Sequence, residues 1–410
     1  MSTTIHSLSP EVLALIFEWC CQSDSEPLVP SAAAGPLLVA RISRHWRSVA
    51  LSTPVLWCSL SFRLKKLGET LPFLKTWLER SGSCPLTLNL AYKSPRRAWE
   101  KPTVLPVVDI LCLHAHQFEW LRLHLPCSDL VRLGQLAFPR LRRLDYSLVD
   151  RETELPDIDL FTCTPQLSEL YTTGYAVCAL LAQKQFPWTQ LTTFRCSYYN
   201  LYDCLQVFRL APSLQHCALV VEHPAAFHRP IATISPLPHL RSFSLKGGWT
   251  DTQILCQLQL PGLHELSFSV SRTSQLTPLI SRCPSIRILE LRLYALPEDV
   301  PPILEYFRSL SSLVQLQVHG HGFRSHILVA VLEALENDGS FLPRLETLHF
   351  ECTSESGLYP SLVKMLVQAK TLRPLSTVSF HFTQSVGVLE KQDDSAIAAL
   401  RRDGVDIRFS

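Results

Sequence analysis

Charge and glycine are both scarce in this sequence. Asp, Glu, Lys and Arg make up 18% of the chain and the net charge is +2, so no global field is available to hold a polyanion. Only 14 of 410 residues are glycine. No P-loop, G-x-G-x-x-G, G-x-S-x-G or H-E-x-x-H occurs, which removes the standard nucleotide, hydrolase and zinc-protease signatures. There are 14 cysteines but no C-x-x-C pair. Without such pairs the cysteines read as small buried hydrophobes of a reducing compartment. No N-x-S/T sequon is present, and no apolar run approaches the 18 residues of a membrane span. The apolar run at residues 12–17 is short and flanked by Glu11 and Glu18, which does not fit a signal peptide. The expectation is a cytoplasmic or nuclear protein with no membrane, nucleic-acid, cofactor or metal partner.

What is abundant is apolar residues, at 47%, and proline, at 29 copies. The prolines punctuate a repeat. "FPRLRRLDYSL" begins at Phe138, "TPQLSELYTTG" at Thr164, "LPHLRSFSLKG" at Leu237, "LPGLHELSFSV" at Leu260 and "LPRLETLHFEC" at Leu342. The common form is P-x-L-x-x-L-x-L. Its first leucine-like position falls at Phe118, Leu141, Leu167, Leu191, Leu214, Leu240, Leu263, Ile286, Leu313, Leu345 and Leu375, at intervals of 23 to 32 residues. The closing alternation predicts a half-buried strand. Helical patterns lie between strands, at "SDLVRLGQLAF" (Ser128), "YDCLQVFRLAP" (Tyr202), "PPILEYFRSL" (Pro301) and "HILVAVLEALENDG" (His326). No unit buries enough apolar surface to stand alone, so neighbours must stack.

Period and strand signature resemble degenerate leucine-rich repeats. The fold class expected is therefore α/β: a small N-terminal helical domain (residues 5–62), then a leucine-rich-repeat solenoid (63–410) with a parallel sheet on its concave face. A C-terminal helix and strand (393–410) would close the array. The residues between the buried ones would form a mixed polar face, including Arg143, Asp145, Glu290, His319 and Glu351. The substrate-binding candidates on that face are Trp120, Arg122, Tyr171, Arg195, Glu265, Arg292 and His349.

Near the N-terminus, "LSPEVLALIFEWCC" from Leu8 predicts a helix capped by Ser9, with Pro10 in its first turn. "PLLVARISRHWRSVALS" from Pro36 predicts a second amphipathic helix, and "TPVLWCSLSF" from Thr53 leads into a strand. Trp46 is expected between the helices, and Trp57 is expected to anchor them to the first strand.

This stretch resembles an F-box. The matching residues are Leu8, Pro10, Glu11, Val12, Leu13, Ile16 and Phe17, then Ile42, Ser43, Arg44, Trp46, Arg47 and Val49, then Pro54, Leu56 and Trp57. "W-R-x-x-A-x-x-T-P-x-L-W" before a degenerate repeat region is similar to the expanded F-box family of mushroom-forming fungi. The resemblance implies a helical hook for the Skp-type adaptor of a cullin–RING ubiquitin ligase, and through the adaptor a cullin. Leu8, Pro10, Glu11, Leu13, Ile16, Phe17, Ile42 and Trp46 would be its adaptor-binding residues. An unidentified protein substrate would meet the repeats. Repeated cysteine pairs for a RING are absent, so the chain is expected to be non-catalytic. The rival reading is a repeat scaffold outside any ligase. His114, His116 and His124 near Cys112, and His319, His321 and His326, match no standard zinc spacing.

Overall fold

The computed structural model describes residues 5, 8–21, 26–64, 67–92, 104–134, 136–148, 159–173, 176–198, 201–221, 236–247, 258–270, 283, 285–293, 301–319, 326–352, 358–382 and 394–409. The protein is α/β. Among the described residues it carries fourteen strands and twelve α-helices. It divides into two compact units, Met1–Cys196 and Ser197–Ser410. The segment expected over 5–62 lies wholly inside the first unit.

The first unit opens on three helices, α1 (Pro10–Cys21), α2 (Gly35–Ile42) and α3 (Arg44–Leu51), and a 3-10 turn at Pro54–Trp57. Then follow β1 (Ser59–Leu64), α4 (Leu67–Arg80), β2 (Leu86–Tyr92), α5 (Leu105–Leu113), β3 (Phe118–Leu125), α6 (Cys127–Leu130), β4 (Arg143–Leu148), β5 (Glu169–Thr173), α7 (Ala176–Leu181) and β6 (Thr193–Tyr198). The second unit holds α8 (Leu201–Leu210), β7 (His216–Val221), β8 (Ser242–Lys246), β9 (Glu265–Val270), β10 (Ile288–Leu293), α9 (Pro301–Arg308), β11 (Gln315–His319), α10 (His326–Asn337), β12 (Thr347–Cys352), α11 (Leu358–Leu372), β13 (Thr377–Phe382), α12 (Asp394–Arg402) and β14 (Asp406–Phe409). Within each unit the strands lie side by side in chain order, and the described strand pairs are parallel.

The motif explains the register. All eleven first positions, from Phe118 to Leu375, are buried. The two leucine-like positions that follow each of them are buried as well, from Leu121 and Leu123 to Val378 and Phe380. Strand pairing keeps them level: Leu289 sits opposite Leu266 and Leu316, and Leu291 opposite Phe268 and Val318. A one-residue slip would turn every one of them out to the other face.

The prolines act as turn residues. Leu141, Leu167, Leu214, Leu240, Leu263 and Leu345 each donate their backbone N–H to the carbonyl three residues back. In each case the residue after that carbonyl is proline: Pro139, Pro165, Pro212, Pro238, Pro261 and Pro343. The fixed φ of proline suits the second position of a β-turn. Stacking brings these turns close together. A Cβ on Gly262 would sit 2.5 Å from the Pro238 carbonyl oxygen, so that turn needs glycine for clearance.

Two expected helices differ. The stretch from Pro36 to Ser52 is two helices and not one. Ser43 stands between them with extended backbone, and its hydroxyl accepts from the Trp46 N–H at 3.1 Å. A serine side chain that caps a new helix competes with continuing the old one. The pattern at Ser128 yields only the four-residue α6 and a 3-10 turn at Val131–Leu133. α8, α9 and α10 match their patterns.

The cysteines also depart from the expectation of burial. Cys196, Cys217 and Cys283 are buried, whereas Cys20 and Cys163 are exposed and Cys21, Cys58, Cys84, Cys112 and Cys178 lie between. At the C-terminus, α12 stops at Gly404, which adopts φ +82°. Its N–H bonds to Arg401 O, and β14 then pairs with β13. Left-handed backbone at that position is where glycine ends helices most easily. Asp393, the first residue of the segment expected to close the array, lies outside the described residues.

Candidate functional site

The first helices keep apolar side chains on two sides. On α1, Leu13 and Phe17 are 0% and 1% exposed. Phe17 packs on α3, its ring 4.9 Å from that of Trp46. Successive residues advance about 100° around a helix, so Val12, Leu15 and Trp19 form a separate stripe. That stripe is open: Leu15 is 58% exposed and Trp19 80%. Leu38 and Ile42 on α2, Leu51 on α3 and Val55 in the 3-10 turn are exposed too. Nine of the fifteen exposed large hydrophobics among the described residues fall between Ile5 and Val55. So many exposed apolar side chains in so short a stretch are unusual for a self-contained surface.

The adaptor-binding candidates therefore separate. Pro10, Glu11 and Ile42 are exposed, and Leu8, Ile16 and Trp46 are half-buried. Leu13 and Phe17 are buried in this structure and lie beneath the stripe rather than on it. Leu15 and Trp19 were not among the sequence candidates, because the helical spacing of α1 supports two apolar stripes at once. The Ser9 hydroxyl donates to the Glu11 carboxylate and, with the Glu11 backbone N–H, holds it below its ordinary pKa range, which fits an acidic residue at a helix start.

Trp57 is fully buried, and its indole N–H donates to Ala50 O at 2.9 Å. Its ring meets Trp77 of α4 edge-on at 4.8 Å, with the Arg80 guanidinium 4.6 Å from its centre. The Trp57 ring thus packs against α4.

The polar sheet face of the first unit forms a ladder. The Arg143 guanidinium lies 4.0 Å from the ring centres of both Trp120 and Tyr171, and Arg195 lies 4.9 Å from Tyr171. Arg122 bonds Asp145 at 2.5 Å and Glu26 at 2.8 Å. Burial works against the Arg122 charge, but the two carboxylates outweigh it and hold its pKa above the ordinary value. Trp120, Arg122, Tyr171 and Arg195 are therefore brought together. Glu26, contributed by the segment between α1 and α2, had no sequence signal.

In the second unit, Arg292 bonds Glu290 at 3.0 Å, and Glu290 also accepts from Ser267 at 2.8 Å. His319 meets Glu351 at 2.9 Å, and the His319 and His349 rings are 5.1 Å apart. His349 touches the Ser379 hydroxyl at 2.5 Å. Burial, then the neighbouring His319, lowers the His349 pKa. Glu265 is exposed on β9 and no described ion pair ties it to this cluster. The cluster is a satisfied acid–base network.

Among the described residues no group of three or more His, Cys, Asp or Glu side chains is placed to hold a metal ion. His321 lies outside the described residues. Burial and then the neighbouring Cys84 push the Cys58 thiol up to about 12, the opposite of an activated nucleophile. No described helix is long and apolar enough to cross a membrane. No family model matches the chain, and no curated protein matches it.

Proposed function

We propose that the protein is the substrate-recognition subunit of an SCF-type cullin–RING ubiquitin ligase. The first three helices act as an F-box that binds a Skp-type adaptor, and through it a cullin. The strand array acts as a leucine-rich-repeat receptor that holds a protein substrate. Catalysis belongs to other subunits, and the receptor works by raising the local concentration of substrate near the ubiquitin-loaded enzyme.

The observation that carries this reading is the outward apolar stripe of α1. A Trp exposed to 80% beside an exposed Leu15 has no function in a helical cap that only shields a sheet end. It suits a helix awaiting a partner's groove. The resemblance of residues 8–57 to an F-box supplies the identity of that partner.

Capture on an immobilised Skp-type adaptor tests it. Wild type is expected to bind, whereas Leu15→Asp and Trp19→Asp are expected to lose capture while keeping the wild-type melting temperature. Failure of the wild-type chain to bind would leave a repeat scaffold outside any ligase.

A further inference from the structure

The ladder on β3–β6 has a feature that the adaptor reading does not use. Glu26 lies outside the sheet, 96 residues away from Arg122 in sequence, yet its carboxylate reaches Arg122 at 2.8 and 3.4 Å. The segment that carries it is pinned nearby: Leu28 N–H donates to the Ser59 hydroxyl at 3.0 Å, and Leu28 O accepts from Ser61 N–H at 2.6 Å. A carboxylate on a short extended stretch of chain is therefore already seated on this face.

We propose that the Trp120–Arg143–Tyr171–Arg195 ladder is a docking surface for an extended acidic segment of another protein, with Glu26 as a built-in competitor for its Arg122 end. Charge supports this occupant. The ladder gathers Arg122, Arg143 and Arg195 against Asp145 and Glu169, so one positive charge is left over until Glu26 arrives. Arg195 is exposed, and no described carboxylate pairs with it. Guanidinium groups stacked on rings are held flat with donors pointing outward, which suits bidentate carboxylate recognition.

The Glu26 contact is weak enough to yield. Its side chain is 59% exposed, and ion pairs that open to water contribute little. Three interstrand steps span roughly 14 Å, the length of about four residues of extended peptide. A nucleic acid fits less well, because Asp145 and Glu169 would face its phosphates and the chain lacks the basic surplus that such binding needs. The inference sharpens the substrate half of the reading above and rests on it only in calling the acidic segment a substrate's.

The test uses the full chain without adaptor, so its failure leaves adaptor capture untouched. The probe is a fluorescein-labelled peptide of alternating Glu and Ala, followed by anisotropy. Glu26→Gln is expected to tighten binding about three- to tenfold, and Arg195→Ala or Arg143→Ala to weaken it by at least about fivefold. Arg195→Ala removes an exposed side chain, so its melting temperature is expected to stay at the wild-type value. A Lys–Ala peptide is expected not to bind. Equal affinity in wild type, Glu26→Gln and Arg195→Ala overturns the proposal. So does no binding by Glu26→Gln, or tighter binding of oligouridine than of the acidic peptide.

Discussion

Up to Trp57 the apolar side chains point both inward and outward; from β1 onward they point almost only inward. Nine exposed large hydrophobics lie at or before Val55, and the much longer remainder of the described chain holds six, including Leu113, Leu210 and Leu372. Polar groups show the reverse. The strand array pairs several of its charges with one another, as in Arg122–Asp145 and Arg292–Glu290, whereas Arg41, Arg44 and Arg47 near the N-terminus are exposed. The first region leaves apolar surface that its own core does not cover, while the array covers almost all of its own. The two regions should therefore respond to mutation in opposite ways.

The largest expected effects on stability lie in the array and at its junction with the first helices. Arg373 is buried and donates to the backbone oxygens of Phe341, at 2.9 Å, and of Leu335 and Asp338. It ties the end of α10 to the start of the next unit. Arg373→Ala leaves those carbonyls without donors, and the expected loss is about 3–5 kcal/mol, read as a lower urea midpoint. Trp57→Ala is expected to cost about 3–5 kcal/mol as well, because the Trp77 contact and the Ala50 hydrogen bond both go. An Arg373→Ala protein that melts like wild type would break the picture of a self-contained array.

A smaller effect is expected at Gly262. An added Cβ meets the Pro238 carbonyl oxygen, so Gly262→Ala should cost about 1–3 kcal/mol. Gly339→Ala has open space within 4 Å and should stay within about 0.5 kcal/mol of wild type. Equal melting shifts for the two would show that the turns are not closely stacked.

The smallest effect is one of pH. The folded-state pKa of His349 is depressed by burial, then by His319 and more weakly by His381, with Glu351 opposing. A lowered histidine pKa means that the unfolded chain takes up more protons, so its contribution is full above the unfolded pKa of about 6.5 and is lost as pH falls below it. The urea midpoint should decline modestly between pH 7.5 and 5.5, and less so in His349→Gln. An identical decline in both proteins would assign it elsewhere.

The repeat was legible because strand burial has a period of two, and every P-x-L-x-x-L-x-L copy states where its turn and its inward positions fall. Helix limits were less legible. The break at Ser43 depends on one hydroxyl choosing a backbone partner, and nothing in the apolar spacing records that choice. On α1 the inward and outward stripes are equally apolar, so sequence could not say which would be left open. Leu13 and Phe17 are the buried members of α1, and Leu15 and Trp19 the exposed ones. Glu26 was beyond reach, since its partner is distant in sequence and lies on a strand.

The central claim is that another polypeptide covers the open stripe of α1. Calorimetric titration of the full chain with a purified Skp-type adaptor at several temperatures tests it most directly. The account predicts binding at micromolar affinity or better with a negative heat-capacity change, the mark of apolar burial, and loss of both in Trp19→Asp. No heat from the wild-type chain, or the same heat-capacity change in Trp19→Asp, would contradict it.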